Sequence, residues 1–128
     1  MTNTKQKGDA FERLCQKKLE DSGYVVMKSP RKFIFIGPGR IISKANDYFN
    51  LYDLCAKKNN QTRWIQCKYG DKSNVSRSKA PIQEFHNKYM SDSESSEIWY
   101  KDVGSRIIEI YQYDILDKEF RLKQEEKK

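Results

Sequence analysis

The run Trp64-Ile65-Gln66-Cys67-Lys68-Tyr69 constrains the fold more than any other stretch, because its bulky aromatic and branched residues suit a β-strand and little else. Side chains two apart on a strand share a face. Gln66 and Lys68 therefore project together, and Ile65, Cys67 and Tyr69 point the other way. A second apolar run, Leu51-Tyr52-Asp53-Leu54-Cys55-Ala56, precedes it across an Asn59-Asn60-Gln61 turn. A hairpin between the two brings Asp53 beside Gln66 and Lys68. A carboxylate in an apolar strand is costly unless it is paired or holds a metal. The two readings of Asp53 are a structural ion pair with Lys68 and a working site.

The rest of the chain supplies elements to hold such a hairpin. Phe11, Leu14, Cys15 and Leu19 recur on one helical face over residues 7–22, and Gly23 suits the end of that helix. Residues 24–28 read as a strand. Residues 33–36 and 40–43 flank Gly37-Pro38-Gly39 as a hairpin; a phosphate cradle is the weaker reading of that turn, since no helix follows it. Residues 70–79 read as a Ser- and Lys-rich loop. Pro81 is placed in the first turn of a helix whose apolar face is Ile82, Phe85 and Tyr89. Residues 91–96 are expected as loop, and 97–101 and 106–113 as strands. The expected class is α/β, a central mixed sheet flanked by helices, with one domain over residues 1–116 and a charged, flexible tail over 117–128.

Composition narrows the chemistry. Among 128 residues there is one histidine, His86, and three cysteines, Cys15, Cys55 and Cys67, with no C-x-x-C pair. A zinc site and a Ser-His-Asp triad are thereby disfavoured. The cysteines read as reduced residues of a cytoplasmic chain. Catalysis would rest on carboxylates, lysine and a hard metal ion. Lys and Arg number 25 against 18 acids, a net charge of +7, which favours a polyanion whose counterions are released on binding. The polar opening, Met1 to Lys7, reads as a short arm without a signal peptide, and no apolar run is long enough to span a membrane.

With those residues in view, the sequence resembles the PD-(D/E)xK nuclease superfamily from Lys7 to Tyr113, and is most similar within it to archaeal-type Holliday junction resolvases and related phage nucleases. Lys7-Gly8-Asp9-Ala10-Phe11-Glu12-Arg13 resembles the opening helix, whose acidic active-site residue maps to Glu12. The stretch from Asn46 to Leu54 resembles the segment carrying the metal-binding aspartate, which maps to Asp53. Ile65-Gln66-Cys67-Lys68 resembles the (D/E)-x-K strand. Tyr52 stands where the name has proline, Gln66 replaces the acidic residue, and residues 29–47 are longer than in compact resolvases.

The resemblance implies a restriction-endonuclease-like core and a Mg²⁺ (or Mn²⁺)-dependent endodeoxyribonuclease, with Glu12, Asp53, Gln66 and Lys68 catalytic. Glu12, Asp53 and Gln66 would hold the metal, and Lys68 would act on the attacking water or the phosphate. The implied partners are branched or duplex DNA and a second copy in a homodimer, as paired nicks across a junction require. Asp47 is a second-ligand candidate better read as a loop cap. Lys7, Arg31, Lys32, Arg77 and Lys79 are expected on the DNA-facing rim, with Lys28, Arg40, Lys44 and Lys72 adding to it. Two other readings stay open: a DNA-binding module that has lost cleavage at Gln66, and an RNA-binding or RNA-cutting protein, which would need stacking aromatics on an exposed sheet face.

Overall fold

In the computed structural model, which describes residues 4–29, 31–37, 40–45, 48–49 and 51–127 (at 4–6, 31–37, 40–45 and 123–127 by backbone alone), the chain opens with helix α1, Thr4–Asp21. Phe11, Cys15 and Leu19 recur every fourth residue and are all buried, which fixes the face α1 turns inward. Gly23 ends the helix at a φ of 94°, and Tyr24 N–H returns to the Leu19 carbonyl at 3.0 Å.

Strands β1 (Val25–Lys28), β2 (Arg31–Gly37), β3 (Arg40–Ala45), β4 (Leu54–Lys58) and β5 (Gln61–Tyr69) follow, then helix α2 (Ser73–Tyr89) and strands β6 (Glu94–Lys101), β7 (Ile107–Asp114) and β8 (Glu119–Lys127). Six of the strands form one sheet in the order β1-β4-β5-β6-β7-β8. Every neighbouring pair is antiparallel except β5 with β6, which are parallel and joined across α2. β2 and β3 pair separately as the expected hairpin, Ile34 opposite Ile42; Pro38 and Gly39 lie outside the described residues.

The sheet is covered on both faces. Phe11, Cys15 and Leu19 of α1 pack on Leu54, Ile65 and Trp99, with Cys67 and Tyr69 at the margin. Val75 and Ile82 of α2 pack on Tyr52, Ile98 and Tyr100, with Trp64 and Phe85 at the margin. The alternation along β5 thus sends Ile65, Cys67 and Tyr69 to α1, and Trp64, Gln66 and Lys68 to α2. The molecule is α/β, a six-stranded mixed sheet between two helices. No helix among the described residues is long and apolar enough to cross a membrane.

Four boundaries differ from the sequence expectation. The strand expected from Leu51 begins at Leu54, because Tyr52 bridges back to Tyr48 and Leu51 N–H bonds the Tyr48 carbonyl in a tight turn. The stretch 70–79 is not wholly loop: α2 starts at Ser73, since Val75 joins Ile82 and His86 on one buried helical face. Pro81 therefore lies inside the helix, on its exposed side, at the loss of one backbone hydrogen bond. β6 starts at Glu94, not 97, because Ser95 and Ser96 pair with Arg63 and Trp64. The segment 117–128, expected as a flexible tail, forms β8 through Lys127, with Phe120 opposite Tyr113 and Leu122 opposite Tyr111.

Candidate functional site

Asp53 sits where β4 separates from β5. Its amide donates to the Ile65 carbonyl at 2.8 Å, one residue out of the register in which Leu54 faces Ile65. Its own carbonyl has turned to β1 and accepts from Ser29 N–H at 2.8 Å. The Asp53 carboxylate takes the vacated place: Cys67 N–H donates to Oδ2 at 2.8 Å. A side chain here substitutes for a backbone acceptor, so the carboxylate is held near the plane of the sheet. Asp53 is buried, and the bond to a charged acceptor contributes about 1.5–3 kcal/mol.

Gln66, between Ile65 and Cys67 on β5, points to α2. Its amide fits one orientation, in which the nitrogen donates to the Leu51 carbonyl and the oxygen accepts from Lys68 Nζ at 3.1 Å. Gln66 and Lys68 open into a cleft of about 260 Å³, closed by Leu51 on one side and by Asn74, Arg77, Ser78 and Ile82 of α2 on the other. Arg77 Nη2 donates to Ser73 Oγ at 2.8 Å, one turn back along the helix.

Glu12 approaches from the opposite face. The Cys67 thiol is held well above its usual pKa by its hydrogen bond to the Cys15 thiol, by burial, and by the charges of Asp53 and Glu12. Both carboxylates are thus felt at Cys67, one from the sheet plane and one from α1. The expected set is therefore split. Gln66 and Lys68 share the α2 face with Asp53 at their margin, and Glu12 stands on the α1 side. Among the described residues no three His, Cys, Asp or Glu side chains gather into a metal-holding group.

The expected rim residues divide as well. Arg77 lines the Gln66–Lys68 cleft. Lys7 lines a separate groove on the α1 side with Arg13, Lys17 and Lys101. Lys79 lies 5.5 Å from the Tyr111 ring centre, over β7. Asp47 and the side chains of Arg31, Lys32, Arg40 and Lys44 lie outside the described residues.

Two features went unread in the sequence. Tyr52 OH and Ser96 Oγ share a hydrogen bond of 2.8 Å, and Ser96 Oγ a second of 2.8 Å with His86 Nδ1, all buried. Burial pushes the Tyr52 phenol up to about 12, the bond to Ser96 only partly opposing it. Burial also lowers the His86 pKa. The second feature is a cleft of aromatic rings on the same side of the sheet as Lys68, formed by Phe49, Trp64, Phe85 and Tyr89. Phe85 and Tyr89 carry the helical spacing of a buried face, and only their exposure separates them from core. Comparison of the chain with protein-family models, with curated proteins and with solved structures finds no match.

Proposed function

We propose that this protein is a metal-dependent endodeoxyribonuclease of the PD-(D/E)xK type on a restriction-endonuclease-like core, with branched DNA, Holliday junctions included, among its substrates and a homodimer as its working form. The observation that carries the reading is the buried Asp53 carboxylate, anchored by Cys67 N–H beside a cleft that holds Gln66, Lys68 and Arg77. The two-helix, mixed-sheet architecture agrees with the core the resemblance implies.

The donor set suits a hard cation. The Asp53 carboxylate would supply charge and the Gln66 amide oxygen the lone pair that Lys68 leaves free, with the remaining oxygens to come from water and a DNA phosphate. Glu12 would join from the α1 side. Mg²⁺ or Mn²⁺ bound there supplies Lewis acidity toward the phosphate. The chain's own groups do the rest. Lys68 faces the scissile phosphate with a cation that stabilises charge developing on its oxygens. Arg77 holds a neighbouring phosphate, and Asn74 offers a neutral donor.

The test is cleavage of labelled duplex, flap, single-stranded and four-way-junction DNA with Mg²⁺ or Mn²⁺, by wild type and by Asp53→Asn and Lys68→Ala. Loss of a single group stabilising the transition state is expected to slow cleavage about 100-fold or more. Wild-type rates in either variant would remove the assignment.

One observation favours a second reading, a DNA-binding module on the same fold that does not cut. Gln66 is already satisfied by Leu51 and Lys68 without a metal. Binding of the DNA panel with no cleavage under either ion would establish that reading instead.

A further inference from the structure

We propose that the groove between α2 and Phe49 binds an unpaired stretch of DNA strand, with bases stacked on the rings of Phe49, Trp64, Phe85 and Tyr89 and phosphates directed toward Lys68 and Arg77. This rests on the nuclease reading for the identity of the polymer, and adds to it the state of the strand.

Phe49 and Tyr89 stand out from the core, on Trp64 and Phe85 at its margin. Tyr89 is 70% exposed and Phe49 55%. Even so, Phe85 lies 4.9 Å from Tyr89 and 4.7 Å from Phe49, centre to centre, and Phe49 lies 5.4 Å from Trp64. They line an open cleft of about 410 Å³ whose other walls are Met90 and Glu94. Two details fix the surface. Trp64 Nε1 donates to Glu94 Oε2 at 2.8 Å, which locks the indole plane. Phe49 takes a φ of 55°, a left-handed backbone that a bulky residue rarely adopts, and its ring projects over Trp64 and Phe85 while remaining exposed.

The aromatic and cationic clefts are separate in their linings but lie along the same two elements, β5 and α2. Trp64, Gln66 and Lys68 follow one another on one face of β5. On α2, Arg77, Pro81, Phe85 and Tyr89 follow at helical spacing. The rings stand at the C-terminal end of α2 and the cations toward its N-terminal end. From Trp64 to Lys68 the strand rises about 13 Å, room for about four phosphates of a stacked strand at ~3.4 Å each, fewer if stretched. The cationic end has no acidic side chain in its lining. The carboxylate of the aromatic end, Glu94, is engaged by Trp64 and by Ser91 N–H and Oγ. A ligand with flat apolar faces at one end and negative charge at the other matches both halves. Paired bases keep their faces against their neighbours, so the rings accept only bases released from a duplex, as at a flap or an open branch.

The test uses the full chain without divalent metal, a fluorescein-labelled oligothymidylate, an abasic strand of the same length and charge, and a blunt duplex. In fluorescence anisotropy, Phe49→Ala and Tyr89→Ala are each expected to weaken oligothymidylate binding by roughly 5- to 150-fold. Abasic-strand and duplex binding stay unchanged, and Tyr89→Phe retains wild-type affinity. Trp99 is buried, so quenching of tryptophan fluorescence by oligothymidylate should vanish in Trp64→Phe. Equal wild-type affinity for the abasic strand, or no loss in either alanine variant, overturns the proposal. So does a shift from dimer to monomer in Tyr89→Ala with strand binding intact, which would make a second copy the occupant. The two readings fail separately: a chain that stacks oligothymidylate and cuts nothing loses only the nuclease reading. One that cuts duplex but does not distinguish thymidylate from the abasic strand loses only the platform.

Discussion

Gln66 is held on two sides by groups of opposite demand. The Leu51 carbonyl needs a donor and the Lys68 ammonium an acceptor, and a side-chain amide answers both. A carboxylate answers only one. Gln66→Glu is therefore expected to set an oxygen against the Leu51 carbonyl and to destabilise the fold by about 1–3 kcal/mol, read as a lower thermal midpoint. It also adds charge beside Asp53. If the site holds metal, calorimetric titration should show tighter Mn²⁺ binding in this variant than in wild type; unmeasurable binding in both, with DNA present, would leave Gln66 a purely structural bridge. Asp53 calls for a matched pair of substitutions. Asp53→Ala leaves Cys67 N–H without its acceptor, and a loss of about 1–3 kcal/mol is expected. Asp53→Asn keeps an oxygen for that bond, so its thermal midpoint should lie well above that of Asp53→Ala while cleavage is still lost. Equal midpoints for the two would show that the Cys67 bond does not hold the strand.

At the scale of elements, α2 walls the candidate site and carries a buried titratable group. His86 packs edge-on against Tyr113 of β7, bonds Ser96 of β6, and is near Glu94, with Asp92 and Asp114 lining the adjacent cleft. Burial lowers its pKa, with Glu94 opposing. The unfolded chain, with an ordinary imidazole near ~6.5, binds more protons than the native one between the two values. Stability therefore rises with pH across that window, and on acidification its loss begins near ~6.5 and ends at the lowered native pKa. The thermal midpoint should fall between about pH 7 and about pH 5, and His86→Gln should flatten that fall. A wild-type midpoint unchanged over the same range would mean that His86 is not held neutral. The same helix marks where sequence reading stops. Trp64 to Tyr69 and the apolar spacing of α1 announce their elements through side-chain period alone, and both stand where expected. The first turns of α2 do not, because Ser73, Ser76, Ser78 and Lys79 have loop composition and only Val75 is buried there. β8 escaped for a related reason: its alternation rests on Phe120 and Leu122, and the pairing that makes it a strand comes from β7.

For the whole molecule, the site was legible as a set of residue types and not as a place. The antiparallel register of β4 and β5 ends at Leu54 opposite Ile65, and Asp53 meets β5 at the Ile65 carbonyl and the Cys67 N–H. The turn of the Asp53 carbonyl toward β1, the approach of Glu12 from the far face and the exposure of Tyr89 depend on three layers meeting, which no single segment encodes. Charge is the property that extends over the whole chain. A net +7 with cations in two separate grooves, Lys68 and Arg77 on the α2 side and Lys7, Arg13, Lys17 and Lys101 on the α1 side, predisposes the protein to a polyanion. Affinity for DNA should then fall linearly on a log–log plot against salt, at about −0.9 per phosphate contact on duplex and about −0.7 on a single strand. Lys68 and Arg77 alone would give a slope of about −1.4 on a single strand. Arg77→Ala should reduce that slope by about 0.7. Lys17→Ala, in the α1-side groove, should leave the single-strand slope as it is if that strand follows the α2 side alone. An anisotropy titration showing no salt dependence would remove nucleic acid as the partner. An equal reduction by Lys17→Ala and Arg77→Ala would mean that one strand crosses both faces, around the end of the sheet where Tyr69 and Lys101 meet.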